Sequence, residues 1–176
     1  QNAFEKISSP GVYSLTLPTG AGKTHLGLEI ASSLIEKFQL NSLLYVLPFI
    51  SIVEQTADTT RKHFPEKMIL EDHSLRPMHT GEETNAWHRM IDLFRYWHSP
   101  ITITTLAQFW DAIFASRANH TMNFHRLAKA VVLLDEPQTI PPRFWQSLAQ
   151  MLAFLAERFG TYFVLMTATQ PQIRQY

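Results

Sequence analysis

The sequence predicts an α/β fold, a mainly parallel β-sheet with helices on both faces, formed by a single domain over residues 1–176. Two observations predict it. Short β-branched, apolar segments alternate with amphipathic segments of about 10–15 residues, a rhythm that brings each strand back parallel to the last. The most apolar segment, Ala130-Val131-Val132-Leu133-Leu134-Asp135, shows no polar alternation before its last residue, as expected of a strand covered on both sides. The composition agrees, since 45% hydrophobic and 12% aromatic residues allow a sizeable core.

The elements follow in order. Gln1 to Pro10 places Ala3, Phe4 and Ile7 on one helical face and is stopped by Pro10-Gly11, so the chain reads as beginning inside a helix. Val12 to Leu17 is the first strand. Leu26, Ile30, Leu34 and Phe38 then recur every four residues, with Glu29, Glu36 and Lys37 off that stripe, and predict a helix ending near Gln39-Leu40-Asn41. Leu43 to Leu47 is a second buried strand, bounded by Pro48. A helix is expected from Ile50 to Phe64 through Val53, Ala57 and Thr60. Between Pro65 and Gly81 only Lys67 to Leu70 reads as a short strand. From Glu82 onward Trp87, Met90, Ile91, Phe94 and Trp97 mark a helix whose aromatics face the core.

Pro100 opens another strand, Ile101 to Thr104, and Leu106, Phe109, Trp110, Ile113 and Phe114 make the next amphipathic helix. After a polar loop, Arg117 to Thr121, comes Ala130 to Asp135. Pro141-Pro142 opens a helix, because proline suits the first turn. Phe144, Leu148, Met151, Leu152, Leu155 and Phe159 give that helix its buried face, and Gly160 closes it. Tyr162 to Met166 is the last strand, ending in Thr167-Ala168-Thr169.

Composition excludes several classes. There is no cysteine, hence no disulfide scaffold and no thiolate metal site, in keeping with a reducing cytoplasm. No apolar run approaches membrane-spanning length and no signal peptide is visible. Fifteen Lys plus Arg balance fifteen Asp plus Glu, so bulk charge offers no argument for nucleic-acid binding. The eight histidines contain no His-x-x-x-His pair and read as surface or capping residues.

In a parallel sheet the ligand sits beyond the carboxyl ends of the strands, so the residues there carry the functional argument. After the first strand stands Pro18-Thr19-Gly20-Ala21-Gly22-Lys23-Thr24. Strand, glycine-bearing loop, Gly-Lys-Thr and helix form the context of a phosphate-binding loop. Gly20 and Gly22 let the backbone curl so that successive N–H groups converge on phosphates, and the helix start adds its dipole. Lys23 supplies a mobile charge, and the Thr24 hydroxyl a ligand for Mg²⁺. The strict pattern has glycine five residues before Gly22, where this chain has Leu17.

Asp135-Glu136 closes the most apolar strand. An unpaired buried charge is costly, and a magnesium ion brought by ATP accounts for both carboxylates. Asp135 is expected to hold the metal and Glu136 to act as general base toward the attacking water. Pro137, by disfavouring the α region at the preceding residue, is expected to keep Glu136 extended. Thr167 and Thr169 end the last strand as a bridge from the carboxylates to a second ligand. Pro48-Phe49 and Thr104-Thr105 cap two other strands, where hydroxyls, N–H groups and helix starts suit nucleic-acid phosphates without much net charge.

In this order the motifs resemble the first RecA-like domain of superfamily-two helicases. The resemblance implies a three-layer RecA-like fold. Pro18 to Thr24 matches motif I, Asp135-Glu136-Pro137-Gln138 motif II and Thr167-Ala168-Thr169 motif III. Pro48 and Thr104-Thr105 resemble motifs Ia and Ib. Gln1, 22 residues before Lys23, stands near the place of an adenine-reading glutamine. Ile101 to Phe109, Ala130 to Gln138 followed by Ile140-Pro141, and Thr167 to Pro171 further resemble the CRISPR-associated helicase-nucleases of type I systems.

That resemblance implies an ATP-dependent, cytoplasmic, prokaryotic translocase on single-stranded DNA, recruited by a crRNA-guided surveillance complex, with no membrane association. It implies Lys23, Asp135 and Glu136 as catalytic residues. Gln1, Thr19, Gly20, Ala21, Gly22, Lys23 and Thr24 fall to ATP, and Thr24 and Asp135 to Mg²⁺. Pro48, Phe49, Thr104, Thr105, Gln138, Thr167 and Thr169 fall to nucleic acid and coupling. The nuclease and the second RecA-like domain have no counterpart in these residues, so the chain alone is expected to turn over ATP poorly. A DEAD-like RNA helicase core is the alternative that Gln138 does not decide. A nucleotide-gated binding module without turnover is the non-enzyme alternative.

Overall fold

The computed structural model describes residues 7–18, 20–72, 99–114 and 124–168. Gln1, Thr19 and Thr169, the opening helix up to Lys6, the helix expected after Glu82 and the polar loop after Arg117 lie outside the described residues. Six strands, β1 (Gly11–Thr16), β2 (Ser42–Leu47), β3 (Ile69–Asp72), β4 (Ile101–Thr105), β5 (Ala130–Asp135) and β6 (Tyr162–Thr167), form one sheet in the order β1-β6-β5-β2-β4-β3. Every neighbouring pair is parallel. Four helices connect them among the described residues: α1 (Lys23–Phe38), α2 (Val53–Arg61), α3 (Leu106–Phe114) and α4 (Trp145–Phe159).

Period-two alternation sends each central strand's side chains into two separate apolar layers. Leu43, Tyr45 and Leu47 of β2, Val131 and Leu133 of β5, and Val164 and Met166 of β6 pack against Leu28, Ala31 and Leu34 of α1 and Val53 and Ala57 of α2. The intervening residues, Leu44, Val46, Val132, Leu134, Phe163 and Leu165, pack against Phe109 and Ile113 of α3 and Leu148, Leu152 and Leu155 of α4. These are the three layers expected. α1 lies so close to β6 that a methyl group on Gly27 would stand 2.5 Å from the Met166 sulfur. A mid-helix glycine, unfavourable by about 1 kcal/mol against alanine, is therefore the residue this packing requires.

Three boundaries differ from expectation. The short strand begins at Ile69 rather than Lys67, because Pro65 opens a 3₁₀ turn over Glu66–Met68 and accepts from the Met68 amide at 2.9 Å. Helix α2 is preceded by a 3₁₀ turn, Ile50–Ile52, and ends at Arg61. The prolines at 141 and 142 start a 3₁₀ turn, Pro142–Phe144, which passes into α4. Gly160 closes α4 in the left-handed region at φ 67°, as read from the sequence.

Candidate active site

The strand order sorts the motifs along one edge of the sheet. The exits of β1, β6 and β5 are adjacent, and they carry Pro18 to Lys23, Thr167 and Asp135-Glu136. The exits of β2 and β4 follow, with Pro48-Phe49 and Thr105.

After β1 the chain turns sharply, with Ala21 N–H donating to the Pro18 carbonyl at 3.1 Å. Gly20 (φ 81°) and Gly22 (φ 76°) both occupy the left-handed region, which glycine enters without a Cβ penalty. Gly22 is the N-cap of α1, and no side chain caps this end. The first N–H groups of the helix are thus left to a ligand. Gly20, Ala21 and Gly22 are exposed at the mouth of this loop.

Lys23, the first helical residue, reaches across β6 to the end of β5. Its Nζ lies 3.0 Å from Asp135 Oδ1 and in direct contact with Glu136 Oε1. Gln138 Nε2 donates to the other oxygen of Glu136. Asp135 is only 11% exposed, and its buried Oδ1 has the Lys23 charge beside it but no well-directed hydrogen bond. Burial pushes the Asp135 carboxyl above its ordinary range, against the lowering pull of Lys23.

Glu136 corrects one expectation. Pro137 does not leave it extended; its backbone is left-handed, φ 48° and ψ 52°. The proline disfavours the right-handed region only, and the chain must reverse here. The Glu136 carbonyl accepts from Thr139 N–H (3.1 Å) and Thr139 Oγ1 (2.9 Å) across the 3₁₀ turn Pro137–Thr139. That reversal aims the carboxylate back at Lys23. A non-glycine residue held there stores on the order of 1–3 kcal/mol of strain, a frequent mark of functional sites.

The last strand contributes backbone rather than hydroxyls. Met166 O accepts from Glu136 N–H at 2.9 Å, and Thr167 O accepts from Leu17 N–H at 3.1 Å. The Thr167 side chain is fully buried and stands 3.5 Å from Thr16 Oγ1, so it faces β1 rather than the carboxylates.

The structure also turns the Thr104 and Thr105 side chains away from solvent. Thr104 is buried. Thr105 Oγ1 accepts from Gln108 N–H at 3.4 Å and caps α3. Phe49, by contrast, is 61% exposed at the exit of β2, beside a half-buried Pro48. Two further residues escape the motif reading. Gly27 is betrayed only by its place inside an apolar helix stripe. Tyr45, buried under the site, carries no sequence signal beyond an aromatic in a strand.

A metal fits what is present. Thr24, Asp135 and Glu136 offer only hard oxygen donors, and Asp135 Oδ1 is a buried acceptor without a hydrogen bond. Among the described residues no group of three or more His, Asp or Glu is poised for a metal ion. A metal that arrives with phosphate oxygens is the kind these few donors can complete.

The protein-family profile described as "Type III restriction enzyme, res subunit" matches residues 2–172. The chain belongs to that family. A curated relative, the CRISPR-associated nuclease/helicase Cas3 of Haloferax volcanii, is 28% identical over 189 residues, covering 94% of this chain and 20% of that protein. The chain thus spans about a fifth of the relative's length. T. fusca Cas3 solved with AMPPNP superposes with a TM-score of 0.73 at 22% identity, covering 96% of this chain and 20% of that one. The DUF1998 helicase MrfA bound to DNA gives 0.67 at 16% identity, covering 96% and 22%. Both likenesses establish a RecA-like fold for this member of the family.

Proposed function

We propose that the chain is the ATP-binding half of an ATP-dependent single-stranded DNA translocase or helicase of type I CRISPR defence. The observation that carries this is the meeting of Lys23, Asp135 and Glu136 beside an uncapped helix start. The relatives support the rest: one is a CRISPR-associated nuclease/helicase and another a helicase bound to DNA. Recruitment by a crRNA-guided surveillance complex and action in the prokaryotic cytoplasm belong to the same reading. Among the described residues no helix is long and apolar enough to cross a membrane.

In this reading the loop amides and Lys23 hold the β- and γ-phosphates, and Lys23 exchanges its carboxylate partners for them. Thr24 and Asp135 would hold Mg²⁺, which when bound would supply charge neutralisation for phosphoryl transfer. Glu136 is then free to take a proton from the attacking water, and Gln138 orients its carboxylate. Phe49 offers a nucleic-acid base a stacking surface at the other half of the edge. DNA is favoured over RNA by the DNA-bound neighbour. The paired metal and base residues favour turnover over a binding module.

Transition-state charge remains for an arginine to meet. Among the described residues Arg61 is engaged by Asp58 and Glu71, Arg126 is buried with a bond to Thr102, Arg143 lies over Phe144, and Arg158 sits in the last turn of α4, at the opposite edge of the sheet. An arginine finger contributes on the order of 10³–10⁵ in rate. The test compares this chain with one extended through a second RecA-like domain, at saturating ATP and Mg²⁺. The chain should bind a fluorescent ATP analogue, lose roughly 10–100-fold in affinity on Lys23→Ala, and hydrolyse near background until extended. Unchanged binding by a folded Lys23→Ala variant, or equal turnover by the two lengths, overturns the half-motor reading.

A further inference from the structure

One buried polar group beneath the site has no part in the reading so far. Tyr45, in the middle of β2, is 0% exposed, and its ring lies in the apolar layer under α1 with Leu43 and Leu47. Its hydroxyl is completely buried and makes no well-directed hydrogen bond within the described residues, although the Thr24 side chain lies beside it. Phenylalanine would fill the same layer without burying a polar atom, since a hydroxyl kept from water without a partner is destabilising. The oxygen therefore calls for an explanation that packing does not supply.

Register supplies the direction. Tyr45 pairs with Leu133 of β5, and Asp135 stands two residues further along the same face. That diagonal is a span long side chains bridge. The polar groups facing the hydroxyl are Thr24, at the start of α1, and Asp135. A phenol has one proton to donate and lone pairs to accept with.

We propose that Tyr45 is a positioning residue for the metal: once nucleotide draws Lys23 away, its hydroxyl donates to the Asp135 carboxylate and accepts from the Thr24 hydroxyl. Resting on the nucleotide reading above, this gives the two oxygen donors one shared anchor. The Thr24 oxygen keeps a lone pair for the metal while its proton is directed to Tyr45. Asp135 is held by Tyr45 when Lys23 leaves it for phosphate. Mg²⁺ demands near-octahedral geometry, so ligand orientation bears directly on affinity. Partners of this kind typically contribute 10–100-fold to metal affinity.

Tyr45→Phe keeps the ring and removes only the oxygen. The full chain, wild type and variant, is titrated with a fluorescent ATP analogue across a series of MgCl₂ concentrations and in EDTA, alongside a thermal melt. The Mg²⁺ concentration for half-maximal tightening should rise about tenfold or more. Affinity in EDTA should be unchanged, and without nucleotide the variant should melt no lower than wild type, because the hydroxyl removed has no well-directed bond in that state. Identical Mg²⁺ dependence overturns the proposal. So does equal weakening with and without Mg²⁺, or a lower melting temperature, each of which assigns the hydroxyl a structural bond. A wild-type chain that binds no nucleotide, or binds it without regard to Mg²⁺, overturns the nucleotide reading itself and is recognised without the variant.

Discussion

The carboxyl edge of the sheet is built in two ways. At the exits of β1, β6 and β5, opposite charges converge, with Lys23 against Asp135 and Glu136 and a left-handed residue aiming one carboxylate inward. At the exits of β2 and β4, the hydroxyls turn into the fold: Thr104 is buried, and Thr105 caps a helix. Phe49, an exposed aromatic, stands out into solvent there. Residue type at a strand end thus decides geometry where charges must meet. Where a lone hydroxyl precedes a helix, the helix takes it.

The sharpest way to break this contrast lies in its charged half. Glu136→Gln keeps the shape and much of the hydrogen bonding of the side chain but removes the base. In a chain extended through the second domain it should lower ATP hydrolysis by roughly 10²–10⁴-fold while ATP is still bound. Rates and nucleotide affinities measured together check it, and a proportional loss of binding would mean that Glu136 holds nucleotide rather than water.

The uncharged half is tested by a pair of substitutions. Phe49→Ala should weaken single-stranded DNA binding by about 1–3 kcal/mol, the contribution of one stacked base, with nucleotide affinity unchanged. Thr105→Val should instead lower folding stability by about 1 kcal/mol through the lost cap and leave DNA affinity alone. Fluorescence anisotropy and urea melts separate the two. A DNA defect from Thr105→Val on a stable chain would place its hydroxyl on the nucleic-acid surface.

The smallest effect concerns Asp135. Burial raises its folded carboxyl above the ordinary 3.8, so the folded chain holds that proton more tightly than the unfolded one. Stability from this group is present at acid pH and lost as pH rises from the unfolded value through the folded one. In EDTA, Asp135→Asn should therefore be more stable than wild type at neutral pH, by about 0.5–2 kcal/mol, with the difference shrinking toward pH 4. A variant less stable at neutral pH would mean that the Lys23 pair outweighs the burial.

Much of this was legible in the residues. The run Ala130 to Leu134 could only be a central strand, and Gly20 and Gly22 after a strand announced the left-handed turn that leads into α1 at Lys23. What stayed hidden depended on direction rather than type. Thr105-Leu106-Ala107-Gln108 has the spacing of a capping box, yet a threonine that caps and one that meets phosphate look alike in sequence. Glu136 was misjudged because proline forbids one backbone region without choosing between the others. Tyr45 was masked by its apolar neighbours, and only the strand register shows what its hydroxyl lies beside.

The end of β6 has a consequence for motion. Its last two carbonyls clasp Glu136 N–H on one side and Leu17 N–H on the other, and its Met166 side chain is pressed by α1 at Gly27. The entrance to the loop of residues 20–22 and the turn bearing Glu136 are thus rivets in one plate. In hydrogen exchange the amides of Leu17 and Glu136 should open together, as a single cooperative unit. Bending the loop then tilts the carboxylate, so that, on the function proposed above, gripping phosphate and aiming the base would be one mechanical event.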